Sequence, residues 1–337
     1  MIAMKYELRK QHDEEFLQWL SPSYWLVESQ LSSFRQQRSE GTLQWARTMP
    51  EFQAWRLSEL HENAERRITW INGTLGMGKS IMAGYFIDLL KIQYPNAIVA
   101  YFFCRSKQAG LTNARDILRT LSYQCIEKDK DAREALRELK AKGFQVTDNL
   151  GIRYLYEKLL LDPLRNSPEI FIVLDGLDEA DMAAQDHTDR TGTPELHVLL
   201  TCLAKLPSSR LLCISRPSAK ISYIIRNVFS KRIDANDNRD DIDSYVRKTV
   251  AESEILKAQF KASYTDPIKY FRDKGNGIFL WVVLVLQQLA KLKSRLDFQK
   301  CLDNFSAASG SMEELYSAIL SRIAQEDQKW VQEILSI

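Results

Sequence analysis

The sequence predicts an α/β fold with a five-stranded parallel sheet between layers of helices, an N-terminal helical segment and a C-terminal all-α region. Two observations lead to this prediction. Five short apolar runs alternate with segments whose apolar residues recur at helical spacing, as in parallel sheets covered on both faces. After about Asp237 the strand patterns stop, and only helical periodicity continues.

The predicted elements succeed one another in a regular order. The segment before the first strand is helical in pattern and rich in aromatic residues, but it holds too little apolar mass for a core of its own, so we expect it to pack on the region after it. Strands are predicted at 68–71, 97–103, 170–175, 211–215 and, more weakly, 228–233. Further helices are predicted at 114–127, 131–142, 152–164, 195–206, 242–250, 267–273, 278–292 and 312–323.

A glycine-rich segment supplies the first candidate site. Residues 73–80 read GTLGMGKS and match the phosphate-loop pattern G-x-x-x-x-G-K-[ST], between a predicted strand and a predicted helix. The glycines let backbone N–H groups face phosphate oxygens, Lys79 can reach the β- and γ-phosphates, and Ser80 can offer its hydroxyl to Mg²⁺. We expect Lys79 to face solvent before a nucleotide binds. Nucleotide binding is assigned to Gly73, Thr74, Leu75, Gly76, Met77, Gly78, Lys79, Ser80 and Ile81.

A cluster of acids comes at the end of the third predicted strand, in the sequence IFIVLDGLDE. Asp175 ends the strand, so it would lie at the carboxyl edge of the sheet and hold Mg²⁺ together with Ser80. Beyond it, Asp178 and Glu179 add two further carboxylates within one turn, and one of them could be the general base that polarises the attacking water. Acids this close would repel one another without a cation, which favours a metal site over an acidic surface loop.

The fourth predicted strand ends at Ser215 and Arg216. An arginine in this position can sense the γ-phosphate, because it neutralises charge that disappears on hydrolysis. The competing interpretation is an ordinary ion pair with a neighbouring carboxylate. Catalytic roles are therefore predicted for Lys79, Asp178, Glu179 and Arg216, with that alternative left open for the arginine.

The composition narrows the class of protein. The 337 residues are 45% hydrophobic and 27% charged with a net charge of +2, which allows two or three domains and gives no electrostatic reason to expect nucleic-acid binding. Scattered cysteines without a C-x-x-C pair are typical of reduced core thiols in the cytoplasm. No signal peptide is visible, and the longest apolar run, 278–286, is too short for a membrane span.

Other polar residues offer weaker candidates. The polar segment 181–194 holds Asp186, His187 and Asp189, but their spacing matches no metal motif, and a surface loop is the preferred interpretation. His12, His61 and His197 show no arrangement for nucleophilic catalysis.

The motifs together resemble the NACHT class of signal-transducing NTPases, the STAND group, and most closely filamentous-fungal proteins with a nephrocystin-like N-terminal NTPase region. The resemblance is carried by the segments WINGTLGMGKS, LDGLDEAD, ISRP, GNGIFLWVVLVLQQL and MEELYSAILSRI, and by Gly41, Thr42, Trp45, Phe52 and Trp55. It implies that the strand ending at Ser215 lies between the phosphate-loop strand and the strand ending at Asp175. The chain would then divide into a helical linker region at 1–63, a P-loop NTPase domain at 64–235 and a helical domain at 236–337.

The chain departs from the family pattern in three places. Leu75 stands where the family usually has proline, which loosens the turn but removes no donor to phosphate. All histidines precede residue 198, so the winged-helix histidine that touches the β-phosphate in family members is absent or lies beyond this chain. No ankyrin, WD40 or tetratricopeptide repeat is present, so we expect a short or truncated member.

The expected function is a cytoplasmic signalling switch that binds ATP with Mg²⁺, hydrolyses it slowly, and couples the nucleotide state to conformation and self-association. The alternative is an interaction or scaffold module that binds nucleotide without turnover. A small-molecule kinase is disfavoured by the arginine-bearing strand and the helical tail, and a GTPase by the lack of an N-K-x-D motif, so GTP is less favoured than ATP. Expected partners are the nucleoside triphosphate, further copies of the activated chain and an unidentified protein.

Overall fold

The computed structural model describes residues 14–21, 23–59, 67–147, 150–183, 193–225 and 228–307. The chain forms two compact units. The first comprises Met1–Arg38, Gln44–Asn72 and Lys79–Arg232, and the second comprises Ser39–Leu43, Gly73–Gly78 and Ile233–Ile337. The helix predicted at 312–323 lies outside the described residues.

A parallel sheet forms the centre of the first unit. Its strands are β1 (Ile68–Asn72), β2 (Ile98–Phe103), β3 (Ile170–Asp175), β4 (Ser209–Ser215) and β5 (Phe229–Arg232). They pair in the order β2-β3-β4-β1-β5, and every pairing is parallel. The predicted α/β class and five-stranded parallel sheet are confirmed, and β4 lies between β1 and β3 as expected.

The burial of the strands reflects their composition. Every residue of β1, β2, β3 and β4 is buried, whereas β5 is mostly exposed at the edge of the sheet. The register aligns Asn72 with Ser215 and Asp175 with Ile214, so the carboxyl ends of β1, β4 and β3 meet at one edge. The Trp70 indole N–H donates to the Ser215 hydroxyl at 2.9 Å and links β1 to β4. Side chains just beyond these strand ends are thereby brought together.

Helices surround the sheet of the first unit. They are α1 (Tyr24–Gln37), α2 (Gln44–Thr48), α3 (Pro50–Leu57), α4 (Lys79–Gln93), α5 (Ala114–Lys128), α6 (Lys130–Ala141), α7 (Ile152–Tyr156, continued by the π-helical turn Glu157–Leu161), α8 (Leu177–Ala183), α9 (Glu195–Leu203) and α10 (Ala219–Ile224). Helix α4 packs on β2, β3 and β4, and α1 packs on α4. Phe52 of α3 stacks on Phe86 of α4 with ring centroids 4.1 Å apart, so the aromatic segment before β1 packs on the sheet unit as predicted.

The second unit is helical. Its helices are α11 (Arg239–Glu252), α12 (Glu254–Ala262), α13 (Pro267–Gly275), α14 (Phe279–Leu289) and α15 (Arg295–Ala307). Helix α14 contacts α11, α13 and α15, and its Trp281 is fully buried. It is the most apolar of these helices, yet no helix among the described residues is long and apolar enough to cross a bilayer. Over the described residues 233–307, these five helices confirm the predicted all-α region after the sheet.

Candidate functional site

The phosphate-loop segment runs from the end of β1 to the start of α4. Gly76 has a φ of +81° and Gly78 a φ of +84°, in the left-handed region that glycine adopts without strain. Thr74 and Leu75 are exposed. The Gly76 carbonyl accepts a hydrogen bond from Leu280 N at 3.0 Å. The backbone therefore turns at the two glycines that the sequence pattern requires, and Leu75 occupies the proline position without entering the core.

Lys79 and Ser80 form the first turn of α4. Lys79 is half-buried, so the expectation that it faces solvent is wrong. The reason is that it begins a helix packed on the sheet, near the acids at the end of β3. Burial lowers the pKa of Lys79 from its ordinary value, and the Asp175 and Asp178 carboxylates oppose this shift. The ammonium group is thus partly stripped of water, which prepares it to bind an anion.

Asp175, the last residue of β3, lies close to Ser80. It is 1% exposed, and the Ser80 hydroxyl donates a hydrogen bond to it. Its second carboxylate oxygen, Oδ2, is buried and has no hydrogen-bond partner in the described part of the chain. Burial raises the pKa of Asp175, while the bond from Ser80 lowers it. An unpaired buried carboxylate oxygen beside a hydroxyl is a suitable pair of ligands for Mg²⁺.

Arg216 and Asp178 form a tight ion pair. Arg216 Nε donates to Asp178 Oδ2 at 2.5 Å, and the Arg216 backbone N–H donates to Asp178 Oδ1 at 2.8 Å. The aspartate side chain is only 13% exposed, whereas the arginine side chain is 41% exposed. The structure therefore shows the pairing with a neighbouring carboxylate that competes with the sensor interpretation of Arg216.

Glu179 is held by residues just beyond the end of β2. Arg105 donates to Glu179 Oε1 at 3.3 Å, and the Ser106 backbone N–H donates to Oε2 at 3.2 Å. Arg105 also donates to the Cys104 carbonyl at 3.0 Å, which fixes the position of its guanidinium group. Sequence reasoning missed Arg105. The only available signal was an arginine just past the end of a strand, at the edge where the other site residues were expected.

These pairs change the interpretation of the acid cluster. The sequence predicts that Asp175, Asp178 and Glu179 repel one another without a cation. In the structure Asp178 and Glu179 are each neutralised by an arginine, so of these three described acids only Asp175 retains a buried oxygen without a partner. Within the described ranges, no group of three or more His, Cys, Asp or Glu side chains is arranged to hold a metal ion. A Mg²⁺ bound through substrate phosphates needs only one or two protein ligands.

The remaining candidates lie apart from this cluster or outside the described residues. Asp186, His187, Asp189, His12 and His61 lie outside the described residues. His197 is in α9, where its ring is 6.3 Å from the Tyr223 ring in an edge-on arrangement. It belongs to none of the contacts made by the acids and arginines described above.

These features together define a class of protein. The chain contains a nucleotide-binding module of the P-loop NTPase class. In its parallel sheet β4 lies between β1 and β3, and a loop that turns at two glycines follows β1. A lysine, a hydroxyl and a buried carboxylate lie at the carboxyl edge of the sheet. The chain belongs to the family described as Nephrocystin 3, N-terminal, whose model matches residues 41–216. That range includes the loop, all three acids, Arg105 and Arg216.

The chain is also similar to individual proteins of known sequence or structure. It is 27% identical over 308 residues to the vegetative incompatibility protein HET-E-1 of Podospora anserina, and the match covers 87% of this chain but 21% of that protein. The chain thus spans about a fifth of the length of this curated relative. Among solved structures, the Walker-type ATPase PABY2304 of Pyrococcus abyssi is 12% identical, with a TM-score of 0.41 over 79% of this chain and 73% of the other. The ORC2 protein of Aeropyrum pernix is 13% identical, with a TM-score of 0.43 over 74% and 64%.

Proposed function

We propose that the chain is a signalling switch that binds ATP with Mg²⁺ and hydrolyses it slowly, so that the nucleotide state controls conformation and self-association. One observation carries the proposal. Asp175 is buried with an unpaired oxygen, beside the Ser80 hydroxyl and near the half-buried Lys79. Burying a carboxylate in this way is costly unless a cation compensates it. These residues fit Mg²⁺ carried in on a triphosphate.

Lys79, Ser80, Asp175 and the loop at 73–78 would together supply the contacts that such a ligand needs. Lys79 would bind the β- and γ-phosphates, and Ser80 and Asp175 would hold the metal. The loop at 73–78 would present backbone N–H groups to the phosphates. When bound, Mg²⁺ neutralises the charge that develops on the phosphates.

The two arginine–acid pairs support slow hydrolysis. Glu179 is the proposed general base, and it is engaged by Arg105 and by the Ser106 N–H. Phosphate oxygens compete with carboxylates for guanidinium groups, since both accept charge-assisted hydrogen bonds. An arginine that moves from its acid to the γ-phosphate would free the acid to accept a proton from water. The acid must first lose its partner, and this requirement keeps turnover low.

The same exchange of partners supplies the switch. ATP would draw Arg105 and Arg216 away from Glu179 and Asp178, whereas ADP has no γ-phosphate to do so. The segments after β2 and β4 would then differ between the two nucleotide states. A ligand shifts a conformational equilibrium only by such differential contacts.

The ion pairs also favour a second candidate function. If Asp178 and Glu179 keep their arginine partners when ATP binds, no base is available and the chain is a non-hydrolysing interaction or scaffold module. Phosphate release separates the two functions, because only the switch turns over ATP. The binding site is the same in both.

Wider properties belong to the same proposal. All five cysteines are buried free thiols, which supports a cytoplasmic location. We propose that the chain divides into three parts, a linker region at 1–63, an NTPase domain at 64–235 and a helical domain at 236–337. We also propose that it self-associates and binds an unidentified protein partner. The relative is named for vegetative incompatibility, and we do not extend that process to this chain. The signalling role proposed here comes from the resemblance to the signal-transducing NTPases.

Identification of the bound nucleotide tests the proposed function. The purified chain is denatured, and the released nucleotides are separated by anion-exchange chromatography. We expect adenine nucleotide in wild type and little in Lys79→Met. If guanine nucleotide co-purifies instead, the proposed ligand is GTP rather than ATP. No co-purified nucleotide, together with no heat of binding for MgATP, would overturn it.

A further inference from the structure

Asn238 lies immediately before α11 in the helical unit and is 2% exposed. An asparagine in this position usually accepts a hydrogen bond from a backbone N–H in the first turn of its helix. Here the side chain makes no such bond. Its amide nitrogen instead donates to the Met77 carbonyl at 3.1 Å and to the Gly277 carbonyl at 3.0 Å. The Asn238 side chain is therefore hydrogen-bonded to the phosphate-loop segment and does not cap α11.

The chemistry of the contact requires a donor. The two oxygens that the Asn238 amide nitrogen contacts are both carbonyl acceptors, and the Met77 sulfur, also an acceptor, lies 3.6 Å from the same nitrogen. Only a donor, here the –NH₂ group with its two hydrogens, can satisfy the two carbonyls. The Gly277 carbonyl is itself fixed, since Gly277 has a φ of +74° and a Cβ there would lie 2.4 Å from Ala235 Cα. The amide thus joins the loop to a turn that cannot shift easily.

A second donor from the same unit holds the preceding carbonyl. Leu280 N, in the first turn of α14, donates to Gly76 O at 3.0 Å. In a planar trans peptide the C=O and the following N–H point in opposite directions. Fixing the carbonyls of Gly76 and Met77 therefore also fixes the directions of the Met77 and Gly78 N–H groups. Those N–H groups belong to the loop that would bind phosphate.

We infer that Asn238 is a positioning residue for nucleotide binding, which holds the Met77–Gly78 peptide so that its N–H faces the phosphates. The inference rests on the proposed function, because it takes residues 73–80 as the phosphate-binding loop. Residues 73–78 belong to the helical unit, which makes that unit the framework of the loop. By linkage, nucleotide binding must in turn stabilise the contacts of Asn238 and Leu280.

The variant Asn238→Asp separates positioning from helix capping. Aspartate is as good a residue as asparagine before a helix, and its charge is favourable there, so α11 should form normally. The carboxylate cannot donate to Met77 O, and it repels that oxygen. We expect MgATP affinity, measured by calorimetry, to fall roughly tenfold or more. The matched control is Asp266→Asn, the reverse exchange before α13, where Asp266 caps Ile268 N and Lys269 N; its MgATP affinity should equal that of wild type.

Hydrogen exchange of the wild-type protein gives a second test that needs no variant. MgATP should slow exchange at Leu280 N, whose acceptor is in the loop, and leave α15 unchanged. Failure of wild type to bind MgATP would overturn the proposed function. Wild-type binding with unchanged affinity in Asn238→Asp would overturn the role of Asn238 alone. Should that variant fail to fold, equal protection at Leu280 with and without MgATP would overturn it.

Discussion

Arg216 donates from Nε to Asp178 Oδ2 at 2.5 Å, so two residues for which the sequence predicts separate roles on a triphosphate neutralise one another. The backbone N–H of Arg216 adds a second bond to the same carboxylate, which places the acid against the end of β4. A γ-phosphate can bind the guanidinium only in competition with Asp178. Whether ATP displaces Asp178 from Arg216 therefore decides between a γ-phosphate sensor and an ordinary ion pair.

Arg216→Ala should weaken ATP binding while leaving ADP binding nearly unchanged. A charge-assisted hydrogen bond to the γ-phosphate contributes about 1.5–3 kcal/mol, and ADP lacks that group. The free energy of unfolding should fall by about 1 kcal/mol, because the arginine side chain is 41% exposed and Asp178 keeps its hydrogen bond from the backbone N–H of residue 216. Calorimetric titration with both nucleotides measures the difference.

Arg272→Ala is the matched control for Arg216→Ala. Arg272 pairs with Asp243 in the helical unit at nearly the same exposures, 39% and 13% against 41% and 13%. It should leave both nucleotide affinities unchanged. Equal losses of ATP and ADP affinity in Arg216→Ala would show that the arginine is not a γ-phosphate sensor.

Lys79→Met should abolish most ATP binding without destabilising the chain. Burial lowers the pKa of Lys79, so the folded state disfavours its charge, and an apolar side chain of similar length removes that penalty. The lost contact with the β- and γ-phosphates should weaken binding by about 1.5–3 kcal/mol or more. Calorimetry gives the affinity, and urea unfolding gives the stability.

Lys91→Met tests whether a desolvated lysine alone accounts for that result. Lys91 lies near the other end of α4, burial also lowers its pKa, and it donates to the Tyr101 hydroxyl at 3.2 Å. Its replacement should leave ATP affinity at the wild-type value. Unchanged affinity in Lys79→Met would remove the lysine from the proposed site.

Asp175→Asn should make nucleotide binding insensitive to Mg²⁺. In wild type, chelation of Mg²⁺ with EDTA should lower ATP affinity, because the buried carboxylate oxygen then has no cation to compensate its charge. The amide that replaces the carboxylate would be a poor ligand, so the variant should bind ATP weakly with or without the metal. Asp88→Asn, which removes a carboxylate paired with Arg35 away from the site, should respond to EDTA as wild type does. A Mg²⁺ response of wild-type size in Asp175→Asn would contradict the metal assignment.

The sheet and the loop could be predicted because their signals are local. Each strand is a short apolar run, and the phosphate loop is a contiguous pattern, so neither depends on distant residues. The pairing of Arg105 with Glu179 was not predictable, since it depends on β2 and β3 being neighbours and on side-chain positions at their ends. Asn238 was missed for the same reason: 161 residues separate it from Met77. The half-burial of Lys79 reflects helix packing, which the motif does not encode.

We propose that the chain binds MgATP and hydrolyses it slowly with Glu179 as the general base. The most direct measurement is steady-state phosphate release by wild type and Glu179→Gln, with bound nucleotide quantified in parallel. Wild type should release phosphate above buffer only with Mg²⁺, and Glu179→Gln should be slower by roughly 10²–10⁴-fold while retaining ATP. If Glu179→Gln hydrolyses ATP at the wild-type rate, the general base is Asp178 or there is no general base. No release above buffer by wild type would contradict the switch and establish the non-hydrolysing module.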